Sequence, residues 1–204
     1  MASSEGKGEM DPYRTIETAC DICCSPVAAD ELRELYTVKV CPACTSRQND
    51  ELLERQGYTV TITDRWIHHD AYHYVEVSQD VDLSIIVNFN REELGGKLLG
   101  IFGKGDHKVG HKDFDSQVKL EVDEEYTPIV DMVLERQAVR DVIMALLEPG
   151  RENLVQLVNS ITSARWVSEH EIPPEQLPAF DLSVLVLARL MRSIDQELRS
   201  TSSR

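Results

Sequence analysis

The chain has 204 residues, of which 42% are hydrophobic and 28% are charged, and its formal net charge is −15. This is the composition of a globular protein, and the length allows one large core or a small module joined to a larger domain. The negative charge argues against nucleic-acid binders, which need a basic surface. No run approaches the ~18 apolar residues of a membrane-spanning helix.

The N-terminal stretch "MASSEGKGEMDPYRT" lacks the basic start and apolar run of a secretory signal. We therefore expect a cytoplasmic protein without membrane contact, in which cysteines stay reduced. Residues 1–15 and 200–204 are expected to be disordered tails. Between them the sequence predicts two parts: residues 16–57, here called the cysteine module, and residues 58–199, here called the larger domain.

All five cysteines lie in residues 20–44. Two Cys-x2-Cys pairs, with 17 residues between them, supply four of the five. Two thiolates three residues apart on a tight turn can face one ion, and four thiolates complete the tetrahedral shell of a structural zinc site. We therefore predict one structural Zn²⁺, bound by Cys20, Cys23, Cys41 and Cys44. Such a closed shell has no open position for catalysis.

The residues around the two pairs predict the shape of the module. "LRELYTVKV", residues 32–40, suggests a short hairpin, and Thr45 or Ser46 can cap a helix that ends at Gly57. A cysteine turn, a hairpin and a second cysteine turn at the start of a helix resemble the treble-clef class of zinc fingers. Zinc ribbons are the near alternative.

Cys24 is the cysteine left outside the two pairs. We interpret it as a small buried or half-buried neighbour of the metal site. The alternative is that it serves as a replacement ligand or as an oxidation-sensitive thiol.

From Tyr58 onward the apolar residues recur with a period of two, which is typical of half-buried antiparallel strands. Four such strands are predicted, in residues 58–63, 73–79, 82–89 and 118–122. Their inward-facing side chains are predicted to be Tyr58, Val60, Ile62, Leu83, Ile85, Val87, Phe89, Val118, Leu120 and Val122. Residues 93–113 contain repeated glycines and predict a long excursion or wide hairpin.

Helical spacing follows, beginning with a negatively charged turn, Asp123, Glu124 and Glu125, that suits a helix N-terminus. An apolar stripe is formed by Val139, Val142, Ile143, Leu146 and Leu147. Earlier apolar residues are out of phase with that stripe, so we predict a break near Glu135 between two helices. After a strand at residues 163–169, a final helix carries Leu187, Leu190, Met191, Ile194 and Leu198 on one side.

Strands that precede helices favour the α+β class, with an antiparallel sheet packed against C-terminal helices. Within the larger domain, "VGHKDFDSQVKLEV" followed by "IVDMVLERQAVRDVIMALL" resembles a pattern in uncharacterised bacterial proteins. Gly110, Phe114 and Asp115 match that pattern, whereas His111 stands where Asp is usual. The resemblance implies a common fold unit and no activity.

Histidines suggest a second metal site as an alternative. They cluster as His68, His69 and His73 in one segment and as His107 and His111 in another. If these segments were neighbours, His69, Asp70, His73 and either His107 or His111 would suit Zn²⁺, Fe or Ni. The competing interpretation, which we prefer, is ordinary surface histidines. Trp66 and Trp166 are predicted to be anchors of the core or its edge.

Three hypotheses for function follow. The leading one is a non-enzymatic zinc protein that binds another protein or itself as an adaptor, and in which Cys41→Ser would unfold mainly the cysteine module. The second is a hydrolase-like metalloenzyme built on the histidines. The third, a zinc-ribbon nucleic-acid binder, is disfavoured by the acidity and would need a local cluster of Arg33, Lys39 and Arg47.

Overall fold

The computed structural model describes residues 17–46, 50–91, 107–149 and 152–202. Ten strands occur in these residues: β1 Glu17–Ala19, β2 Pro26–Ala28, β3 Arg33–Leu35, β4 Val38–Val40, β5 Tyr58–Ile67, β6 Asp70–Gln79, β7 Ile86–Arg91, β8 Val118–Val122, β9 Leu154–Val158 and β10 Ile161–Ser168. Six α-helices accompany them: α1 Pro42–Thr45, α2 Asp50–Arg55, α3 Lys112–Asp115, α4 Thr127–Leu134, α5 Gln137–Leu147 and α6 Leu177–Ser202. Short 3₁₀ turns span Ala29–Glu31 and Glu124–Tyr126.

The main sheet has six strands in the order β5-β6-β10-β9-β7-β8, and every pair is antiparallel. Strands β5 and β6 form a long hairpin whose last pair, Ile67 and Asp70, is joined by a two-residue turn. His68 in that turn has a positive φ of 58°. Two small sheets, β1-β2 and β3-β4, belong to the cysteine module. The predicted antiparallel sheet and the hairpin between the cysteine pairs are confirmed.

One face of the main sheet packs against α5 and α6. Buried and partly buried residues alternate along the whole of β6, because every second side chain points into this core. The predicted stripe of α5 is fully buried, and the expected break is present between Leu134 and Gln137. Of the predicted inward-facing strand residues, only Val60, Ile62 and Val122 are half-buried and the others are buried.

Strand β9 is not predicted by the sequence pattern. Its five residues, "LVQLV", carry apolar side chains on both faces of the sheet, so they show no period of two. The predicted helix after the second cysteine pair is present as α2, but Thr45 is the last residue of α1 and Ser46 is the C-cap of α1 instead of an N-cap. Residues 47–49 lie outside the described residues. Helix α6 continues to Ser202, past residue 199.

The prediction that Trp66 and Trp166 anchor the core or its edge is confirmed for Trp166, which is buried, and is wrong for Trp66, of which 63% is exposed. The reason is that Trp66 lies near the end of the edge strand β5. The predicted excursion at residues 93–113 lies mostly outside the described residues. In the part of the chain that the structure describes, no helix has the length and apolar character needed to cross a bilayer.

Candidate metal centre

The first cysteine pair lies on a tight turn between β1 and β2. The Cys20 amide donates to Ser25 O at 3.0 Å, and the Cys24 amide donates to Cys20 O at 2.9 Å. Cys24 itself has a positive φ of 59°, which closes the turn. The backbone thus directs Cys20 and Cys23 to the interior, while Cys24 points outward and is exposed. The prediction that Cys24 is buried or half-buried is therefore wrong.

The second pair lies at the start of α1. Cys41 is the N-cap residue, and its sulfur accepts a hydrogen bond from the Cys44 amide at 3.4 Å. Pro42 occupies the first helical position, where its fixed φ fits and its missing N–H costs no hydrogen bond. This cap and the helical turn place both sulfurs on the same side.

The four sulfurs form one buried cluster, in which all lie within 4.8 Å of one another. Cys20 Sγ is 4.0 Å from Cys44 Sγ, and Cys23 Sγ is 3.7 Å from Cys41 Sγ. A regular tetrahedron with Zn–S bonds of ~2.3 Å has edges of about 3.8 Å. Each cysteine is at most 2% exposed. Four buried cysteines with this spacing can hold a metal ion.

Hydrogen bonds favour thiolate at this site. A hydrogen bond with the Cys44 thiol, assisted by backbone amides and opposed by burial, lowers the pKa of the Cys20 thiol to about 4. The Cys41 amide is one of those donors, at 3.4 Å from Cys20 Sγ. Burial raises the pKa of the Cys41 thiol, so protons remain bound in the cluster when no metal is present. A metal cation would displace those protons.

Residues outside the cysteines fix the first turn in place. The Lys39 amide donates to Asp21 Oδ2 at 2.7 Å, and the Asp21 amide donates to Lys39 O at 2.8 Å. Arg189 of α6 donates from Nε to Asp21 O at 2.7 Å. Neither Asp21 nor Arg189 was predicted from the sequence. Only the position of Asp21 inside a Cys-x2-Cys turn could have indicated its role.

The alternative metal site built from histidines is not formed among the described residues, and the preferred expectation of surface histidines is wrong for His73, which is buried. His73 lies on β6 between two carboxylates, with Nδ1 2.5 Å from Asp64 Oδ1 and Nε2 2.6 Å from Asp181 Oδ1. His107 lies beside β8 and forms a hydrogen bond with Asp131. Strand β8 is the fourth strand from β6 in the sheet, so the two strands are about 19 Å apart.

The other histidines do not complete that site either. His111 contacts Arg140, and His68 and His69 are exposed in the hairpin turn. Among the described residues, only the four cysteines form a group of three or more possible metal ligands within mutual reach. The hypothesis of a second metal site fails because strand order separates the two histidine segments.

The Asp64–His73–Asp181 arrangement was also not predicted from the sequence. Asp64 lies directly opposite His73 in the β5-β6 register, and Asp181 is the fifth residue of α6. Burial alone would lower the pKa of His73, but the two carboxylates raise it above 6.5. In the sequence, only the period-two pattern of β6, which places His73 on the same face as Val75 and Val77, could have indicated that His73 is buried.

The proposed basic cluster contains Arg33 and Lys39 as exposed residues of β3 and β4, and Glu34 lies opposite Lys39. Arg47 lies outside the described residues. No protein-family model, curated protein or solved structure matches the chain. The resemblance of residues 58–199 to uncharacterised bacterial proteins therefore has no support from these comparisons.

Proposed function

We propose that this chain is a zinc-binding, non-enzymatic adaptor that acts through contacts with another protein. The observation that carries the proposal is the closed, buried cluster of four sulfurs with nearly tetrahedral spacing. Four thiolates suit Zn²⁺ because they provide a soft, tetrahedral ligand set. They also fill the coordination shell, so a structural role fits better than catalysis.

The treble-clef class fits the geometry better than a zinc ribbon. The first pair lies between two short strands, the β3-β4 hairpin separates the pairs, and the second pair begins a helix. A ribbon would place the second pair on another strand-flanked turn. The helical start at Cys41 and Cys44 therefore supports the treble-clef assignment.

The structural role of the metal would be to hold the cysteine module against α6. Arg189 reaches Asp21 in the first cysteine turn, and Arg192 donates to the carbonyls of Gln56 and Gly57 at 2.5 and 2.9 Å. Cys44 also borders a cavity of about 170 Å³ together with Leu182 and Leu185 of α6. Loss of the metal would loosen these contacts.

A protein partner is favoured over nucleic acid by charge. The chain carries −15, and a Zn²⁺ bound by four thiolates adds about −2 more. Such a field repels phosphate backbones and attracts basic surfaces.

A ligand replacement with a matched control tests the proposal. Cys41→Ser removes one thiolate and is expected to abolish zinc binding, to unfold the cysteine module and to lower the Tm by about 10 °C or more. For a chain of this size, ~1 kcal/mol of destabilisation shifts the Tm by about 2–4 °C. The measurements are zinc content and thermal unfolding followed by circular dichroism.

Cys24→Ser is the control, because Cys24 is exposed and points away from the cluster. It is expected to keep the zinc and the Tm of the wild-type chain. A Cys41→Ser chain that retains full zinc and an unchanged Tm contradicts the proposal.

A further inference from the structure

The outer edge of the main sheet ends in exposed hydrophobic residues. Strand β5 is an edge strand, and within the described residues its main-sheet partner is β6 alone. Near its end Trp66 is 63% exposed and Ile67 is 43% exposed. An edge strand presents backbone N–H and C=O groups that a further strand can bind. Aromatic side chains beside such an edge are typical anchors of protein interfaces.

A groove of about 240 Å³ adjoins this edge. Its apolar lining comes from Trp66, Ala71, Ile172 and Leu177, and its acidic lining from Asp64 and Glu171. The groove therefore combines room for one aliphatic side chain with carboxylates beside it.

One of these carboxylates is held in a fixed position. Asp64 is bonded through Oδ1 to the buried His73, yet 70% of its side chain is exposed. Asp181 holds the same imidazole from its other nitrogen. A carboxylate fixed in this way loses little conformational entropy when it meets a cation.

The charge of the groove indicates which partner fits. Two acidic residues, Asp64 and Glu171, line it against one basic residue, Arg65. The whole chain, including these residues, has a net charge of −15. A second copy would bring the same negative charge to the same surface, so self-association at this edge is disfavoured. A cationic partner is attracted instead.

We propose that β5 and its groove bind an extended segment of another protein by addition of a strand to the sheet, and that lysine or arginine and aliphatic residues alternate along the face of that strand on which Asp64 and Trp66 lie. One aliphatic side chain would lie between Trp66 and Ile172, and a cationic side chain two positions along the added strand, on the same face, would meet Asp64 or Glu171. This inference rests on the proposed adaptor function and names its surface and partner class.

The test uses the full-length, zinc-loaded chain and two synthetic peptides with threonine at every second position: in the remaining positions one peptide alternates lysine with valine and the other alternates glutamate with valine, so that both residue types share one face of the strand. Amide chemical shifts are followed by NMR during titration at low salt. The lysine peptide is expected to bind, with shift changes concentrated in residues 64–67 and at Ile172, and added salt should weaken binding. The glutamate peptide should leave the spectrum unchanged.

Two variants locate the surface. Trp66→Ala is expected to raise the Kd of the lysine peptide at least about tenfold, because a central aromatic anchor carries much of the energy of such interfaces. Ile86→Ala is the matched control: Ile86 is also an exposed hydrophobic residue, but it lies on β7, away from the groove. It should leave the Kd unchanged.

Three outcomes overturn the inference: no binding of the lysine peptide, equal binding of both peptides, or an unchanged Kd in Trp66→Ala. A concentration-dependent dimer that Trp66→Ala abolishes in analytical ultracentrifugation would also overturn it, because the occupant would then be a second copy. Zinc content, measured in the same samples, separates this inference from the proposed function. If the chain is folded and zinc-loaded but does not bind the lysine peptide, only this inference is contradicted. If the purified chain contains no zinc, the proposed function is contradicted.

Discussion

At the scale of single residues, the cysteines and His73 differ in how far sequence predicts their environment. Cysteine spacing is a local property, and two Cys-x2-Cys turns can meet at one ion whatever the rest of the chain does. The surroundings of His73 are set by residues far away in the chain. Asp181 follows it by 108 positions, and no local pattern connects the two.

His73 is expected to be a cation in the folded chain. Both ring nitrogens lie within hydrogen-bond distance of carboxylate oxygens, and only the imidazolium can donate from both. Its pKa is raised above 6.5 in the folded state, because the bonds to Asp181 and Asp64 outweigh the opposing effect of burial. The stabilisation is therefore fully present below pH 6.5 and is lost as the pH rises through the raised folded-state pKa.

Replacement of Asp181 by Asn tests the ion pair between His73 and Asp181. The variant removes one charged hydrogen-bond acceptor, so we expect a loss of about 1.5–3 kcal/mol in the free energy of unfolding at pH 6. We also expect a smaller fall of stability between pH 6 and pH 9 than in the wild-type chain. Urea unfolding at several pH values measures both quantities.

Asp131→Asn is the matched control, because Asp131 also pairs with a histidine, His107, but both side chains are partly exposed. That change should cost less than about 1 kcal/mol. If Asp181→Asn kept the wild-type dependence of stability on pH, the imidazolium assignment would be wrong.

At the scale of secondary structure, the elements that the sequence predicted are those with one buried and one exposed face. The strands at residues 58–63 and 118–122 and the helix stripe of α5 show this contrast. Strand β9 escaped prediction because both of its faces are partly apolar. The exposure of Trp66 was not predictable from the local sequence, because Trp66 lies beyond the predicted strand at residues 58–63 and near the end of the edge strand β5.

The junction between α2 and β5 depends on one glycine. Gly57 has a φ of 75°, and a Cβ there would lie 3.4 Å from Arg192 Nη2. The Arg192 guanidinium also stacks on Tyr58, 3.9 Å from the ring centroid. The left-handed backbone conformation favours glycine here, as the predicted helix end at this residue suggested, whereas the Arg192 contact would be an ordinary van der Waals contact.

Gly57→Ala is expected to destabilise the chain by about 1–2 kcal/mol, because a left-handed conformation costs an L-residue with Cβ about that much. Gly57→Asn should cost less, since asparagine tolerates this conformation better. Chemical denaturation of the two variants measures the difference. Equal stability of Gly57→Ala and the wild-type chain would contradict the role assigned to this turn.

At the scale of the whole molecule, the cysteines and the helices share one continuous core. Cys20, Val40 and Leu53 belong to the same cluster of buried residues as Leu185 and Met191 of α6. Strand order also decides which distant segments meet, and it places His73 and His107 on opposite parts of the sheet. Sequence pattern predicted the layers of this fold but carried no information on strand order, so the histidine hypothesis failed while the cysteine cluster was found.

The central claim is that four thiolates hold one structural Zn²⁺. The most direct measurement is the metal content of the full-length chain, purified without a metal-binding affinity tag and measured by inductively coupled plasma mass spectrometry. The account predicts one zinc per chain and no second metal, because the described residues contain one group of possible ligands. A folded chain with no bound zinc, or with a second metal in equal amount, would contradict it.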